Sequence, residues 1–516
     1  MLKDKNMQLS IYSVLYNRIP KNHILKLIDE AIDFTKIVKL IEKSYKKYYG
    51  RPAKDPELMI KLLILQYLYN LSDEKVIEEA SLNIAYMYFL GVNPEDDLPH
   101  PSLLTKFRKL RLQDITLDEI LVEIVRQCIE KGIIKDNGIS IDATHSHANT
   151  FKATPERVMK YLAKDIFKAL GEENTEILDS MNQTIPDYKE IEDHHEAKKV
   201  MKEYLEEQIQ NVEKILDTQE NPLTQSAINK AKEILADPKF IEQKGVRSIV
   251  DTEARVGHKS KTETFFGYKT EYIITTDERI ITAVRVNDGA YVDGTQFEEL
   301  IDLTQKTGIK IKEVYGDKAY FKKGILDKIN EAKAKAYIPV SECAYKINEE
   351  LFSYNKDSDE WFCSEGNQTI KKKHVTKKDG RQFYQYNFDP EVCKNCLNKE
   401  KCKKGNRKGR MLEVGLNTAE FYEYSQEQKT EEFKEKYKNR ACQEWKNGEL
   451  KNHHGLNRAR GYGLRSMSTQ AKLTIIAVNL KRIAKILSSN FKQKFNFARQ
   501  FIINFAIIEI VSGLCI

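Results

Sequence analysis

The 516-residue sequence predicts an α/β chain: a catalytic core built on a mixed sheet with helices, interrupted by a helical insert and a basic Cys-rich insert, and preceded by an all-α region. Three observations predict it. Residues 24–131 carry helix-length apolar runs separated by short polar breaks. Short β-rich runs lead to Asp142 and Asp317. A long Lys- and Glu-rich stretch and a basic stretch containing cysteines separate the strand-forming segments.

In the amino-terminal region, residues 1–131, LMIKLLILQYLYN reads as one helix, Ser72 stands where it caps the next, and PSLLTKFRKLRL begins another after a Pro-Ser pair. That last helix places Lys106, Arg108, Lys109 and Arg111 within one and a half turns, which suits a helix on DNA and equally suits the solvated rim of a bundle. At Gly138 the texture changes, and GISIDATHS predicts a strand that ends in Asp142. Residues 155–242 return to charged helical sequence with few aromatics, an inserted hairpin or bundle. FFGYKTEYIITT and RIITAVRVNDG then read as two strands joined by a turn at Asp277–Arg279, followed by a helix over Thr295–Thr307. IKIKEVYGDKAY predicts a strand delivering Asp317 into a Gly-containing loop, and AKAYIPV a further strand. The core is therefore expected from residues 132–154, 243–340 and 430–486, with 341–429 as the Cys-rich insert. Residues 487–516 form an apolar tail, read as a buried terminal helix or an extension.

Charge is unevenly spread. Residues 371–410 carry 14 basic and 4 acidic side chains and residues 436–485 carry 12 and 2, so each has +10 on a chain of +7 and the remainder sums to −13. Two basic segments on an otherwise acidic chain point to polyanion-binding surfaces, although solvated Lys-rich faces would look alike. The start, MLKDKNMQLSIYS, has no apolar leader, and no stretch reaches the 18 or so apolar residues that span a bilayer. A cytoplasmic protein without a membrane role is expected. Eight cysteines in so long a chain do not make a disulfide scaffold.

Phosphodiester transesterification requires charge to be neutralised at the attacking and leaving oxygens, and clustered carboxylates holding divalent ions supply this. Asp142 and Asp317 at neighbouring strand ends are two candidates, though lone aspartates are common in turns. The third comes from KYKNRACQEWKNGELKNHHG, where Tyr437, Arg440, Glu444 and Lys451 are spaced by three, four and seven residues. On one α-helix these side chains fall within a sector of about 60°. Glu444 would complete the metal set, with Arg440 and Lys451 as charge-assisted donors to the DNA backbone. The plain alternative is an exposed helix with an Arg440–Glu444 pair worth a few tenths of a kcal/mol.

The Tyr437, Arg440, Glu444 and Lys451 spacing resembles the signature of DDE transposases from bacterial insertion sequences. The likeness continues along roughly residues 40–486: DPELMIKLLILQYLYNLSDEKV through LPHPSLLTKFRKL is similar to the family's amino-terminal helical domain, SIDATHSHAN to its first-aspartate segment, and FFGYKTEY and VYGDKAY to the next two. HHGLNRARGYGL, with Arg458 and Arg460, and NLKRIA are similar to its carboxy-terminal end. The long insert and the Cys cluster resemble the group numbered eleven eighty-two. The resemblance implies a ribonuclease-H-like catalytic domain, with Asp142, Asp317 and Glu444 as ligands of two Mg²⁺ or Mn²⁺ ions. It also implies a bacterial, nucleoid-associated enzyme that binds double-stranded DNA, both element ends and target, as a homo-oligomer. Gln443 stands where the family usually has an aliphatic residue and Asn447 where it usually has Phe, and Gly448 in the same helix costs roughly 1 kcal/mol relative to Ala. Two other readings use the same residues: a ribonuclease-H-like resolvase, and a non-catalytic DNA-binding protein derived from a transposase.

Cys393, Cys396 and Cys402 form C-x2-C-x5-C in the basic insert, and Cys363 in WFCSEG could complete a structural zinc site, a choice over His374 or Cys343 that the spacing does not fix. Free cytosolic thiols are the alternative. Cys128, Cys343, Cys442 and Cys515 have no visible partners. His145 and His147 follow Asp142, but hard magnesium prefers oxygen, so phosphate contact or structural hydrogen bonding is expected of them. His453 and His454 are expected to extend the DNA-facing surface.

Overall fold

Apolar residues at helical spacing fold the amino-terminal region into the helices Ile24–Ala31, Phe34–Glu42, Pro56–Leu68, Asp73–Leu82, Ile84–Leu90, Ser102–Leu110 and Asp114–Glu130. The computed structural model describes residues 13–45, 53–135, 138–216, 221–238, 240, 246–260, 262–402 and 409–513, excluding the side chains of 13, 14, 400, 401 and 490–513. The start of the chain, four basic residues of the Cys-rich segment (Lys403, Lys404, Arg407, Lys408) and the apolar side chains of the tail, Cys515 included, lie outside the described residues. Asp33, Asp55 and Ser72 each cap a helix by accepting a first-turn N–H, as predicted for Ser72. Pro56–Leu68 is buried on nearly all sides, which explains why its sequence is an unbroken apolar run rather than an amphipathic one.

The helix that buries it is the carboxy-terminal one, Leu464–Gly513, which packs against Ile24–Ala31, Pro56–Leu68 and Asp114–Glu130. The tail continues this helix rather than forming an element of its own. Lys472 is fully buried on it and forms ion pairs with Asp114 (2.8 Å) and Asp118 (2.7 Å).

Six strands form the main sheet: β1 (Gly138–His147), β2 (Arg255–His258), β3 (Thr264–Thr275), β4 (Ile281–Asp288), β5 (Glu313–Tyr315) and β6 (Lys335–Tyr337). The order is β2-β3-β1-β5-β6, with β4 also pairing β3. β1 pairs antiparallel with β3 and parallel with β5, and β5 parallel with β6, so the sheet is mixed as predicted. The outer edge of β4 is covered by Asn479, whose side chain accepts from Ile281 N (2.9 Å) and donates to its carbonyl (2.7 Å). One core runs without a break from the amino-terminal helices through the sheet to the long helix.

Two expectations need correction. Asp142 is in the middle of β1, not at its end, because the twelve-residue β3 supplies partners as far as His147↔Gly267. Gly267 permits this: a Cβ there would lie 2.1 Å from the Ser146 carbonyl oxygen. The strand before Asp317 is only three residues long and matches β1 only over Gly138–Ser140, so β1 loses its parallel partner just before Asp142.

Residues 155–235 supply the helices Pro155–Glu173, Thr175–Ser180, His194–Ile215 and Pro222–Leu235, with their own apolar cluster around Leu162, Ile166, Met201, Leu205 and Ile228. A hairpin, β7 (Phe352–Asn355) with β8 (Glu360–Cys363), lies beside a three-stranded sheet of β9 (Thr369–Thr376), β10 (Gln382–Phe388) and β11 (Met411–Gly415). Trp361 is fully buried between them against Phe352, Tyr386 and Leu412. Among the described residues no helix is long and apolar enough to cross a membrane.

Candidate active site

The helix Ala441–His453 lies over β1, fastened by residues that the sequence marks as unusual. Gln443, fully buried, donates from Nε2 to the Ser140 carbonyl at 2.7 Å. Asn447 donates to Asp142 Oδ2 at 3.1 Å and accepts the Tyr272 hydroxyl at 2.8 Å, Tyr272 being the register partner of Asp142 on β3. An aliphatic residue and a Phe could make none of these bonds, so the two departures form a polar fastening between helix and strand. Neither role was legible in the sequence, because both depend on which strand the helix crosses.

Tyr437, Arg440, Glu444 and Lys451 do not share one α-helix as predicted. Tyr437 ends the helix Glu431–Tyr437, a 3₁₀ turn spans Lys438–Arg440, and only Glu444 and Lys451 lie on Ala441–His453. The chain stays right-handed through the turn, with Tyr437 at φ −60° and Arg440 at φ −59°, so the tightening leaves Tyr437, Arg440 and Glu444 near one another, with Lys451 further along the helix.

Asp142 and Asp317 are brought within each other's field. Burial pushes the Asp142 carboxyl up to about 6, Arg440 pulls against the rise, and the Asp317 charge adds to it. Asp317 caps the turn Lys318–Tyr320 by accepting Ala319 N at 2.8 Å. Glu444 is 70% exposed, with Oε1 3.4 Å from an Arg440 nitrogen. Arg440 sits at the centre: burial opposes its charge, but Asp142, Tyr437, Asp317 and Glu444 together hold its proton more tightly than usual. Its Nε has no partner among the described residues. As the side chains stand, no group of three or more His, Cys, Asp or Glu among the described residues is arranged to hold a metal ion. The chemistry of the two aspartates nevertheless fits one: hard oxygen donors, with Asp142 desolvated and in the field of Asp317, a repulsion that a cation would relieve.

Beyond Asp142 on the same strand, the Lys451 ammonium contacts the His145 ring, 3.2 Å from Nδ1 and 3.4 Å from Nε2. Burial and the neighbouring Lys451 hold His145 down to about 4, so it is neutral and acts as an acceptor. Burial and Lys259 lower Lys451 to about 8. His147 is edge-on to His145 at 5.8 Å, and its backbone bridges to Arg458, which is exposed.

The remaining predicted DNA contacts divide. Lys106 and Lys109 are exposed. Arg108 is engaged by both Asp73 oxygens and by Gln66 Oε1 at 3.0 Å, and Arg460 donates to Leu71 O (2.9 Å) and Asn70 Oδ1 (2.6 Å) while lying over Tyr67. Both guanidiniums thus hold protein to protein. His454 is buried, not DNA-facing as expected: its ring contacts the Tyr67 carbonyl and Lys481, because its turn tucks under the helical region.

Cys363, Cys393, Cys396 and Cys402 line one small cavity, with Arg410 at its wall. Burial raises the Cys402 thiol, and the other three thiols add to the rise. Cys343 is exposed and His374 packs on Tyr384, so neither joins them.

Residues 13–110 match the family described as a transposase domain, DUF772, and residues 362–484 match a transposase DDE domain. The first match contains Lys106, Arg108 and Lys109. The second contains Arg440, Glu444, Lys451 and the four clustered cysteines, whereas Asp142 and Asp317 fall in neither. No solved structure matches the chain. The two matched regions flank the mixed sheet, and both are parts of enzymes that process nucleic acid. Both matched domains support a DDE-type insertion-sequence transposase.

Proposed function

We propose that the chain cuts and joins DNA at the ends of an insertion sequence, on a ribonuclease-H-like core, with Asp142, Asp317 and Glu444 as the ligands of two divalent ions. The carrying observation is the convergence of all three carboxylates on Arg440, together with an Asp142 carboxyl raised to about 6 beside Asp317. Magnesium or manganese bound there would neutralise charge on the attacking and leaving oxygens of a phosphodiester.

The chain's own residues do the rest. Arg440, with its unpartnered Nε, takes a phosphate oxygen, and Glu444 turns from Arg440 toward the aspartates as the phosphate replaces it. His145 positions Lys451 for the phosphate backbone, Tyr437 borders the scissile position, and Arg458, Lys106 and Lys109 extend the DNA track. Water and then the freed 3′-hydroxyl are the nucleophiles, and the terminal inverted repeats of the element are the sequence bound, by a multimer. The four cysteines, which line one cavity, would be the ligands of a structural zinc that orders the basic insert.

Single replacement of Asp142, Asp317 or Glu444 by Ala tests the reading. Mg²⁺-dependent cleavage of a duplex carrying the repeats that flank the gene should be abolished, with binding of that duplex in EDTA largely kept. Retained cleavage removes the residue concerned from the site, and cutting without joined products in the wild type would assign the chain to the resolvases.

A further inference from the structure

Advancing one residue along an α-helix turns its surface by about 100°, so Trp445 stands on the face next to that of Glu444. Its indole is 59% exposed, although Trp is a side chain that folding ordinarily covers. The other tryptophan of the chain, Trp361, is fully buried. The Arg279 guanidinium lies 4.0 Å from the centre of the Trp445 ring. Arg279 is held in the left-handed region at φ +59°, in the turn between β3 and β4, and its Nε has no partner among the described residues. A non-glycine residue kept in that conformation, stacked on an exposed indole, is a side chain placed at a cost in backbone strain.

The surroundings are cationic. A cleft of about 520 Å³ is lined by Arg279, Trp445, Lys446, Lys481, Arg482 and Lys485 among others, with Glu449 as its one carboxylate. Lys446 (2.8 Å) and Lys481 (3.1 Å) share Glu449, and Arg482 donates to the Glu278 carbonyl at 2.6 Å. Five cations against one anion leave an excess of positive charge beside a flat aromatic surface. Exposed rings with adjacent cations suit nucleic acid, the ring packing on the sugars that a duplex presents and the charge meeting its phosphates.

We propose that this face binds a DNA segment other than the one held along β1 by Lys451 and Arg458. The inference rests on the function proposed above: joining brings two DNA segments to one set of carboxylates, and one face of the Ala441–His453 helix cannot hold both. The Trp445 face is the second seat, and the segment it takes is target duplex.

The test is a titration of the full chain in EDTA with a random-sequence duplex of about 30 bp, followed by tryptophan emission. Trp361 is buried, so a quench reports Trp445. A saturable quench is expected. Lys485→Glu should raise its midpoint about ten-fold and lower the salt slope of binding by at least about one. Trp445→Ala should weaken capture of a labelled duplex about ten-fold, and Trp445→Phe should restore it. Lys199→Ala, on the exposed surface of the helical insert, should leave the quench midpoint unchanged. Absence of a quench, or unchanged capture in both Trp445→Ala and Lys485→Glu, overturns the proposal. So does a common shift with Lys451→Ala, which would mean one DNA across both faces, or a smaller sedimenting species of Trp445→Ala with capture intact, which would assign the face to a second copy of the chain. No metal is present in this titration, so a wild type that quenches here but fails to cleave DNA when Mg²⁺ is supplied would sink the nuclease reading alone.

Discussion

Replacing Asp142 by Asn should make the metal-free chain more stable at neutral pH. The folded carboxyl titrates at about 6 against an ordinary 3.8, so about two pK units separate the states. At 1.36 kcal/mol per unit, holding the charge in the folded chain costs about 3 kcal/mol above pH 7. The sign follows from the direction: the folded carboxyl binds its proton more tightly than the unfolded one. The penalty is therefore full above the folded value and fades as pH falls toward 3.8. The pull of Arg440 is already included in the shifted value, and the amide that replaces the carboxylate keeps an oxygen for Asn447 to donate to. Urea unfolding of wild type and variant in EDTA should show Asp142→Asn ahead by about 3 kcal/mol at pH 8 and about half that at pH 5. Millimolar Mg²⁺ should then stabilise the wild type and leave the variant unmoved. A variant no more stable than the wild type at pH 8, or a gain that does not shrink on acidification, would refute the picture of a desolvated Asp142 repelled by Asp317.

Three further outcomes follow from other parts of the molecule. Lys451 sits at about 8, and DNA keeps its proton on, so duplex affinity should fall as pH rises through that region. Lys451→Arg should flatten the pH profile between about 7 and 9, whereas an unchanged profile would place the titration elsewhere. Lys472→Ala leaves Asp118, only 13% exposed, with Arg285 alone and removes the tie between the long helix and Asp114–Glu130, so a loss of about 3–5 kcal/mol is expected in thermal or urea unfolding. Metal analysis of the purified chain should find about one zinc per chain, lost in Cys393→Ser. A zinc-free wild type with four titratable thiols would leave the cysteines as ordinary core and surface residues.

The helices of the amino-terminal region, the Ser72 cap, the β3–β4 hairpin with its turn at Asp277–Arg279, and the mixed character of the sheet were all legible along the chain. Periodicity and turn chemistry are local, and no competing contact overrode them. The length of β1 was not legible, since it depends on β3, more than a hundred residues away, offering partners to His147. The single helix drawn through Tyr437 and Lys451 also failed locally, because a 3₁₀ turn keeps nearly the same dihedrals and leaves no signal in residue spacing.

Sequence alone determined the spacing of the Tyr437, Arg440, Glu444 and Lys451 set, the short strand-forming runs around the two aspartates, and the C-x2-C-x5-C pattern in a basic segment. Residue type and spacing carry that much, because chemistry and short-range geometry are written in order along the chain. Only the tertiary structure decided that Gln443 and Asn447 fasten the Glu444 helix to β1, that Arg108 and Arg460 are spent on protein contacts, and that Trp445 is left uncovered beside Arg279. Each of those depends on a partner distant in sequence, and a side chain's role is set by what folding places opposite it.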